Sequence, residues 1–427
     1  MNNSTRCQTN VDLVLQSIVS QTATKELFAN SLQPQSTAEV ADAIRQAYEY
    51  TQSVCATGGC TALGCGIRIP AGATEISTAN IAEVVDYPHE DMTITVGSGI
   101  TIAQLQNTLA EQGQRLPVDV PQCEQATLGG AIATNQSGPR RYGCGTLRDY
   151  VIGVTAVDGR GVVFSGGGRV VKNVAGYDFC KLLIGSRGTL GILTQVTLKV
   201  LPKPETSALF SAPVANENEL RAVLEGIASS PLTPVTIDYV RGVAWPGVFA
   251  EENADNGRVV IGFEGTRDEL AWLQETLAEN SRSWGARFEH VAEDRQTAAW
   301  QALSEFPAGD PAALTFVANV VPSGVPEFLA AVNKIDPAAS LLARAGNGIV
   351  YIRTSLSAAD AVAAHAKTLL PQARKQHGNC LVYAAASDIE LTPLAAFGSP
   401  AETTAVFRRV KETFDPRGIL SPGCLQN

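Results

Sequence analysis

At 427 residues, 45% hydrophobic and 17% charged, the chain can bury two or three cores and is too apolar for a disordered polymer. A formal charge of −10 excludes a general nucleic-acid binder, since phosphate contacts need clustered Lys and Arg and the compact basic clusters here are as small as Arg140 with Arg141. No stretch approaches the roughly 18 apolar residues of a membrane span, and Met1–Leu15 lacks the basic start and apolar centre of a secretory signal, so a cytoplasmic location is expected, with any contact at the inner membrane made through partners.

Residues 1–30 read as an N-terminal extension. Residues 36–50, STAEVADAIRQAYEY, open with a capping box, Ser36 and Glu39, and place Val40, Ile44, Ala47 and Tyr48 on one face, which predicts an amphipathic helix. A short strand, SVCA, runs into CATGGCTALGCG at 55–66, and strands follow around Ile76 and at Thr93–Val96. A second helix starts at the capping box Thr101 and Gln104 and stops before Gly113. The Gly/Ser/Thr-rich segment from Ala126 to Tyr150 is long and polar enough for a working loop with or without a short helix. VTAVDGRGVVF reads as a hairpin turning at Asp158-Gly159, and TQVTLKVLP as a strand. From Glu205 to Ala396 helices such as NELRAVLEGIA and DELAWLQETLAE alternate with strands such as RVVIGFEG and GIVYIR, predicting a second α+β domain; no internal repeat is visible in the sequence. The tail is a short helix followed by a Pro/Gly-punctuated loop.

Three chemistries compete for the loop at 55–66. Its cysteines are spaced C-x4-C-x4-C with no fourth Cys or His close by, and the four histidines of the chain are scattered, so no metal site is expected. Nine cysteines form no even framework and read as reduced thiols. The glycines permit a cradle of backbone amides for phosphate oxygens, held by neutral donors because no Lys or Arg lies between Thr51 and Ile67; the bland alternative is a turn that only joins two strands. The common nucleotide fingerprints fail: in Gly97-Ser-Gly-Ile-Thr-Ile102 an isoleucine stands where the third glycine belongs, and no P-loop or nucleophile elbow is present.

Read in order with this loop, TLGGAIATNQSG (127–138), GGGRVVKNVAGYD (166–178), GSRGTLGILTQVTLKV (185–200) and the tail FDPRGILSPG resemble the PCMH-type FAD-binding domain of the vanillyl-alcohol oxidase superfamily and its C-terminal signature. Within that superfamily the motifs are most similar to the FAD-binding E-type subunits of glycolate oxidases. The resemblance implies an α+β fold: a PCMH-type domain of two α+β subdomains at 31–205, a second α+β, ferredoxin-like cap domain at 206–396, and a C-terminal segment at 397–427 that returns to the FAD domain.

It also implies FAD as cofactor, with the diphosphate against Thr57, Gly58, Gly59, Cys60 and Thr61. Pro121, Thr127, Gly129, Gly130, Thr134, Asn135 and Gly138 would run along diphosphate and flavin, and Gly188 and Ile192 would face the adenine end. Lys172 would place a cation near the flavin N1 and C2 carbonyl, the alternative being a solvated lysine. Cys60 and Cys123 align with the His and Cys that tether flavin in berberine-bridge-type relatives, although small buried thiols filling a tight loop are the better explanation. Catalytic residues stay unassigned: RAGNGIVYIR lacks the histidine that related dehydrogenases place there, and Arg344, Arg353 and Tyr351 are candidates only as a carboxylate clamp and a proton relay. The implied role is an FAD-binding subunit that oxidises glycolate together with a catalytic D-type flavoprotein and an iron–sulfur subunit. The rivals are an autonomous FAD-dependent 2-hydroxy acid or alcohol dehydrogenase, and a scaffold that has lost FAD.

Overall fold

The computed structural model describes residues 28–63, 72–169, 177–245, 247–249, 257–308, 313–386, 389, 391–398 and 404–424. The first helix, α1 (Thr37–Tyr50), starts where the Ser36 hydroxyl accepts the Glu39 amide, and it buries Val40, Ala41, Ile44 and Ala47. Its capping box is displaced by one residue, the Glu39 carboxylate accepting the amide of Gln35 at 2.9 Å. This face packs on a parallel sheet of β1 (Asn30–Leu32), β2 (Val54–Thr57) and β3 (Thr74–Ser77), with β3 in the middle.

A second, antiparallel sheet comprises β4 (Val84–Asp86), β5 (Thr93–Gly97), β7 (Val151–Val157), β8 (Val163–Gly167) and β9 (Ile192–Lys199), in the order β4-β5-β9-β7-β8. The ribbon β6 (Gln114–Arg115) with β10 (Leu201–Pro202) lies beside it. The β7–β8 hairpin turns at Asp158, whose Oδ1 accepts the amides of Arg160 and Val162. On this sheet lie α2 (Ile102–Ala110), closed by the complete Thr101/Gln104 capping box, and α3 (Leu128–Thr134), the helical part of the long polar segment.

The rest of the chain builds one eight-stranded antiparallel sheet. In chain order it runs β11 (Thr206–Val214), α4 (Glu217–Ala228), β12 (Thr236–Arg241), β13 (Gly257–Gly265), α5 (Arg267–Asn280) and β14 (Glu289–His290). After α6 (Glu293–Glu305) come β15 (Thr315–Asn319), α7 (Val325–Ile335), β16 (Ser340–Arg344), β17 (Ile349–Arg353), a helix from α8 (Ala358–Ala364) through a π turn to α9 (Leu370–Lys375), and β18 (Asn379–Ala384). The spatial order β14-β11-β13-β12-β16-β17-β15-β18 resolves into two βαββαβ modules of ferredoxin-like order, fused through β12 and β16. So the structure contains a repeat that the sequence does not display. Strand alternation divides the sheet: Phe210, Ile261, Phe263 and Phe316 face the helices, each worth about 1.5–3 kcal/mol on burial, whereas Leu209, Val260, Leu342 and Tyr351 face the opposite side with α6.

After α10 (Thr404–Phe414) the chain returns to the first sheet. Val54 donates to Ile419 O and Ser421 donates to Val54 O, both at 2.8 Å, so the tail adds to the free edge of β2. Lys411 fastens it, its Nζ donating to Thr189 O and Leu420 O at 2.8 Å each.

Candidate functional site

Where β2 ends, the tail, α3 and the segment leading into β9 leave a cleft of about 150 Å³. Thr57, Gly58, Gly59, Cys60, Thr61, Thr127, Gly129, Gly130, Thr134, Gly188 and Ile192 all line it. Pro121, Asn135 and Gly138 do not. Val120 takes the wall position beside the buried Pro121, Asn135 is the left-handed cap of α3, and Gly138 packs on Asp119, where an added Cβ would sit 2.4 Å from the Asp119 Cβ. Lys172 lies outside the described residues.

The small residues have a more specific cause than ligand approach alone. A Cβ on Gly58 would fall 2.0 Å from Thr127 Oγ1 and one on Gly59 1.7 Å from Gln125 O, so both glycines let the first loop press against the second. Gly129 is packed in the same way on Ser98, whereas a Cβ on Gly130 meets only Thr127 Oγ1, at 3.2 Å. The threonines spend their hydroxyls inside the protein. Thr57 donates to Glu75 at 2.7 Å, Thr134 donates to Gly130 O at 2.7 Å, and Thr127 accepts the Gly130 amide. What the cradle presents is therefore main chain and methyl groups.

Sequence reasoning missed Arg187, Ser421, Cys424 and Gln136, which complete the wall. All four sit in stretches already singled out, TLGGAIATNQSG, GSRGTLG and the tail, and Ser421 and Cys424 come to face the cleft because the tail crosses over to β2. Burial, and then the neighbouring Cys424, push the Cys55 thiol up to about 12, so the buried thiol at the cleft floor is neutral at physiological pH. Cys60 also lines the cleft, with a left-handed φ of 57°, whereas Cys123 lies off it, its thiol pushed up first by burial.

The opposite face of the eight-stranded sheet meets this half of the molecule through charge. Glu264, its side chain 4% exposed, receives Arg115 at 2.5 Å and Arg140 Nε at 2.6 Å, and Arg140 also pairs with Asp119 and lies 4.0 Å over the Trp300 ring. Burial raises the Glu264 pKa, but the two arginines outweigh it and hold the carboxyl below its usual range. Arg344 pairs with Asp238 at 2.7 Å and donates to Leu303 O at 2.6 Å. That arginine is thus spent within the fold rather than presented as a carboxylate clamp. Arg353 donates to Phe306 O and stacks on its ring, and Tyr351 packs edge-on against Tyr383, whose hydroxyl reaches the cleft-lining Gln136 at 3.4 Å. No histidine lines the cleft. His365 is buried behind the sheet, donating from Nε2 to Cys380 O at 2.8 Å, and His290 sits on the outer strand edge.

Residues 29–167 match the model of the FAD binding domain, and residues 398–425 match that of the C-terminal domain of FAD linked oxidases. Glycolate oxidase subunit GlcE of Escherichia coli is 38% identical over 166 residues, 38% of this chain and 46% of that subunit, so the matched stretch is under half the relative's length. D-2-hydroxyglutarate dehydrogenase of Xanthomonas citri pv. viticola is 28% identical over 92% of this chain and 88% of the relative. A crystal structure of p-cresol methylhydroxylase superposes with a TM-score of 0.71 at 15% identity, covering 92% of this chain and 88% of that one, which shows a shared fold. No described helix is long and apolar enough to cross a membrane. Residues 29–167 are therefore similar to FAD binding domains and the tail to the C-terminal domain of FAD linked oxidases, and the two matches together indicate that this chain binds FAD.

Proposed function

We propose that the chain is an FAD-dependent oxidoreductase acting on a 2-hydroxy acid, and that it serves as the FAD-carrying subunit of a glycolate-oxidising assembly. The relatives above support the class, and their partial overlap with the glycolate oxidase subunit supports the subunit role. The observation that carries the subunit reading is the lining of the cleft: among the described residues it contains neither a histidine nor a carboxylate. Oxidising a 2-hydroxy acid needs a base for the hydroxyl proton and a cation for the carboxylate. Here the arginine nearest to that role, Arg344, is neutralised by Asp238.

Bound FAD would supply a two-electron acceptor. The chain's own residues hold and shield it. The Gly58-Gly59 turn and Thr61 offer main chain to the diphosphate, Gly129 and Gly130 offer a surface without side chains along the length, and Gly188 with Ile192 closes the far end. A partner D-type flavoprotein would provide the base, and an iron–sulfur subunit would take the electrons onward. The end-to-end match to a D-2-hydroxyglutarate dehydrogenase favours the second reading, an autonomous dehydrogenase.

One experiment separates them. The purified chain should be yellow, and its flavin absorbance should persist when glycolate or D-lactate is added anaerobically, then bleach once a co-expressed D-type partner is present. Bleaching by the chain alone would establish the autonomous enzyme, and a colourless chain that takes up no FAD would leave the scaffold.

A further inference from the structure

Helix α10 (Thr404–Phe414) is packed at one end only. Phe414 meets the rings of Phe164 and Phe179 at 5.5 and 6.1 Å, Val410 joins the same core, and Lys411 holds Thr189 O and Leu420 O. The residues before them, Ala405, Val406, Phe407, Arg408 and Arg409, are all exposed. Phe407 stands three, four and seven positions ahead of Val410, Lys411 and Phe414, so it continues the packed face, yet it is 56% exposed and is the only exposed phenylalanine among the described residues. The helix thus overhangs the body, and so short a helix is marginal in water without tertiary packing. Neither Arg408 nor Arg409 forms an ion pair with a described residue, so the overhang carries two unbalanced cations beside Phe407.

A complementary face lies on the other half of the same chain. In α5 (Arg267–Asn280) Leu273, Thr276 and Leu277 are buried, and on the outer side Asp268, Trp272, Glu275 and Glu279 recur at helical spacing, all exposed. Trp272 is 52% exposed, the only exposed tryptophan among the described residues, and none of the three carboxylates pairs with a described cation. One helix offers an aromatic ring flanked by cations and the other an aromatic ring flanked by anions. Indole is also the best ring for a guanidinium to lie on.

We propose that the overhanging half of α10 docks on the outer face of α5 in a second copy of this chain, with Phe407 against Trp272 and Arg408 and Arg409 against Asp268, Glu275 and Glu279. The two helices pack on separate cores and both faces are bare in the single chain, so the contact is between copies and joins unlike faces. Two short helix faces bury well under the roughly 1,600 Å² of a standard interface, which makes the association weak, and its opposite charges make it sensitive to salt.

The test follows the full-length protein by sedimentation equilibrium over a range of protein and salt concentrations. Wild type should associate, less so as salt is added, and Phe407→Asp should weaken the association at least about tenfold. Arg408→Glu with Arg409→Glu, and separately Asp268→Lys with Glu275→Lys, should each leave a monomer, because like charges then face each other. The two swapped proteins, mixed in equal amounts, should associate again, since every helix then meets opposite charge on the other chain. Melting temperatures should match wild type because all these side chains are exposed; Trp272→Ser carries the α5 side of the test if the lysine variant folds poorly. A wild type that stays monomeric up to about 100 μM would overturn the inference and leave α10 to another occupant, residues 1–27 or a different protein. Association indifferent to Phe407→Asp, or a mixture no more associated than its two components, would overturn it as well.

Discussion

The cofactor cleft and the seam between the two halves of the molecule lie within a few residues of each other, at Asp119, Gly138 and Arg140, yet they use opposite chemistry. Among the described residues the cleft is walled chiefly by main chain, methyl groups and thiols, with no acidic side chain. The seam interlocks Arg115 and Arg140 with Asp119 and Glu264, and behind it the eight-stranded sheet buries the pair of Arg344 with Asp238. A cleft for an anionic dinucleotide leaves the charge to the ligand and must keep side chains out of its way. A seam with no ligand must cancel its charges internally, each ion needing a partner already in place. Added atoms should therefore damage the cleft, and deleted atoms the seam.

The largest effect is expected from Arg344→Ala. It strands the Asp238 carboxylate, whose side chain is 1% exposed, and should cost about 3–5 kcal/mol in urea unfolding. Burial already holds Asp238 above the usual carboxylate range in spite of Arg344, and its Oδ1 has no partner among the described residues. Arg344→Met combined with Asp238→Leu should recover most of the loss, because apolar packing can replace a buried pair. A double variant as unstable as the single one would mean that this site is sensitive to shape, not charge.

Glu264→Gln should come next, at about 2–3 kcal/mol near neutral pH, since two buried arginines lose their shared anion. Its pH dependence has a definite sign. The folded pKa of Glu264 is depressed, so its stabilisation is complete above the unfolded value of about 4.3 and is lost as the pH falls through the folded value. Asp238 has the opposite sign: its raised folded pKa makes its ionisation a penalty that appears as the pH rises through the window above the unfolded value. The gap between the urea midpoints of wild type and Glu264→Gln should accordingly close in acid, and a gap that stays constant would detach Glu264 from the seam.

How far the sequence discloses these regions follows from the range of the interactions. Ser36, Thr101 and Asp158 act within four residues of themselves, so the helix starts and the hairpin turn are legible. The glycine loops are legible as motifs, but the reason for Gly58 and Gly59 is a contact with Thr127 and Gln125 that no local pattern contains. Ser421 escapes notice because it becomes a cleft residue only when the tail bonds to Val54. The paired modules of the second sheet share an order of elements, not a motif, and what selects each residue there is burial on an alternating face, which many sequences satisfy.

Two glycine substitutions sharpen the comparison from the cleft side. Gly59→Ala must push Gln125 O away from 1.7 Å and should cost about 1–3 kcal/mol together with most of the FAD affinity. Gly130→Ala meets only Thr127 Oγ1, which has to give by a few tenths of an ångström, and inside α3 alanine gains up to about 1 kcal/mol over glycine, so thermal unfolding should change by less than about 1 kcal/mol. Any FAD affinity it loses then reports the ligand lying against that face. Retention of full affinity by both variants would remove the cradle from the binding site.

The smallest effect is expected from Cys60→Ser. Cys60 lines the cleft with its sulfur 3.9 Å from Gly58 O, and the left-handed φ is set by the turn rather than by the thiol. A serine fills nearly the same volume, so stability should shift by less than about 0.5 kcal/mol and flavin content should be kept. If Cys60 is only a small wall residue, acid precipitation releases all the flavin from wild type and variant alike. If wild type keeps colour in the pellet and Cys60→Ser releases it, the cleft holds its cofactor by a bond. Retention of the cofactor would then no longer depend on the fit of main chain to ligand, while Gly59 would stay intolerant of an added Cβ because its contact with Gln125 O is internal to the protein.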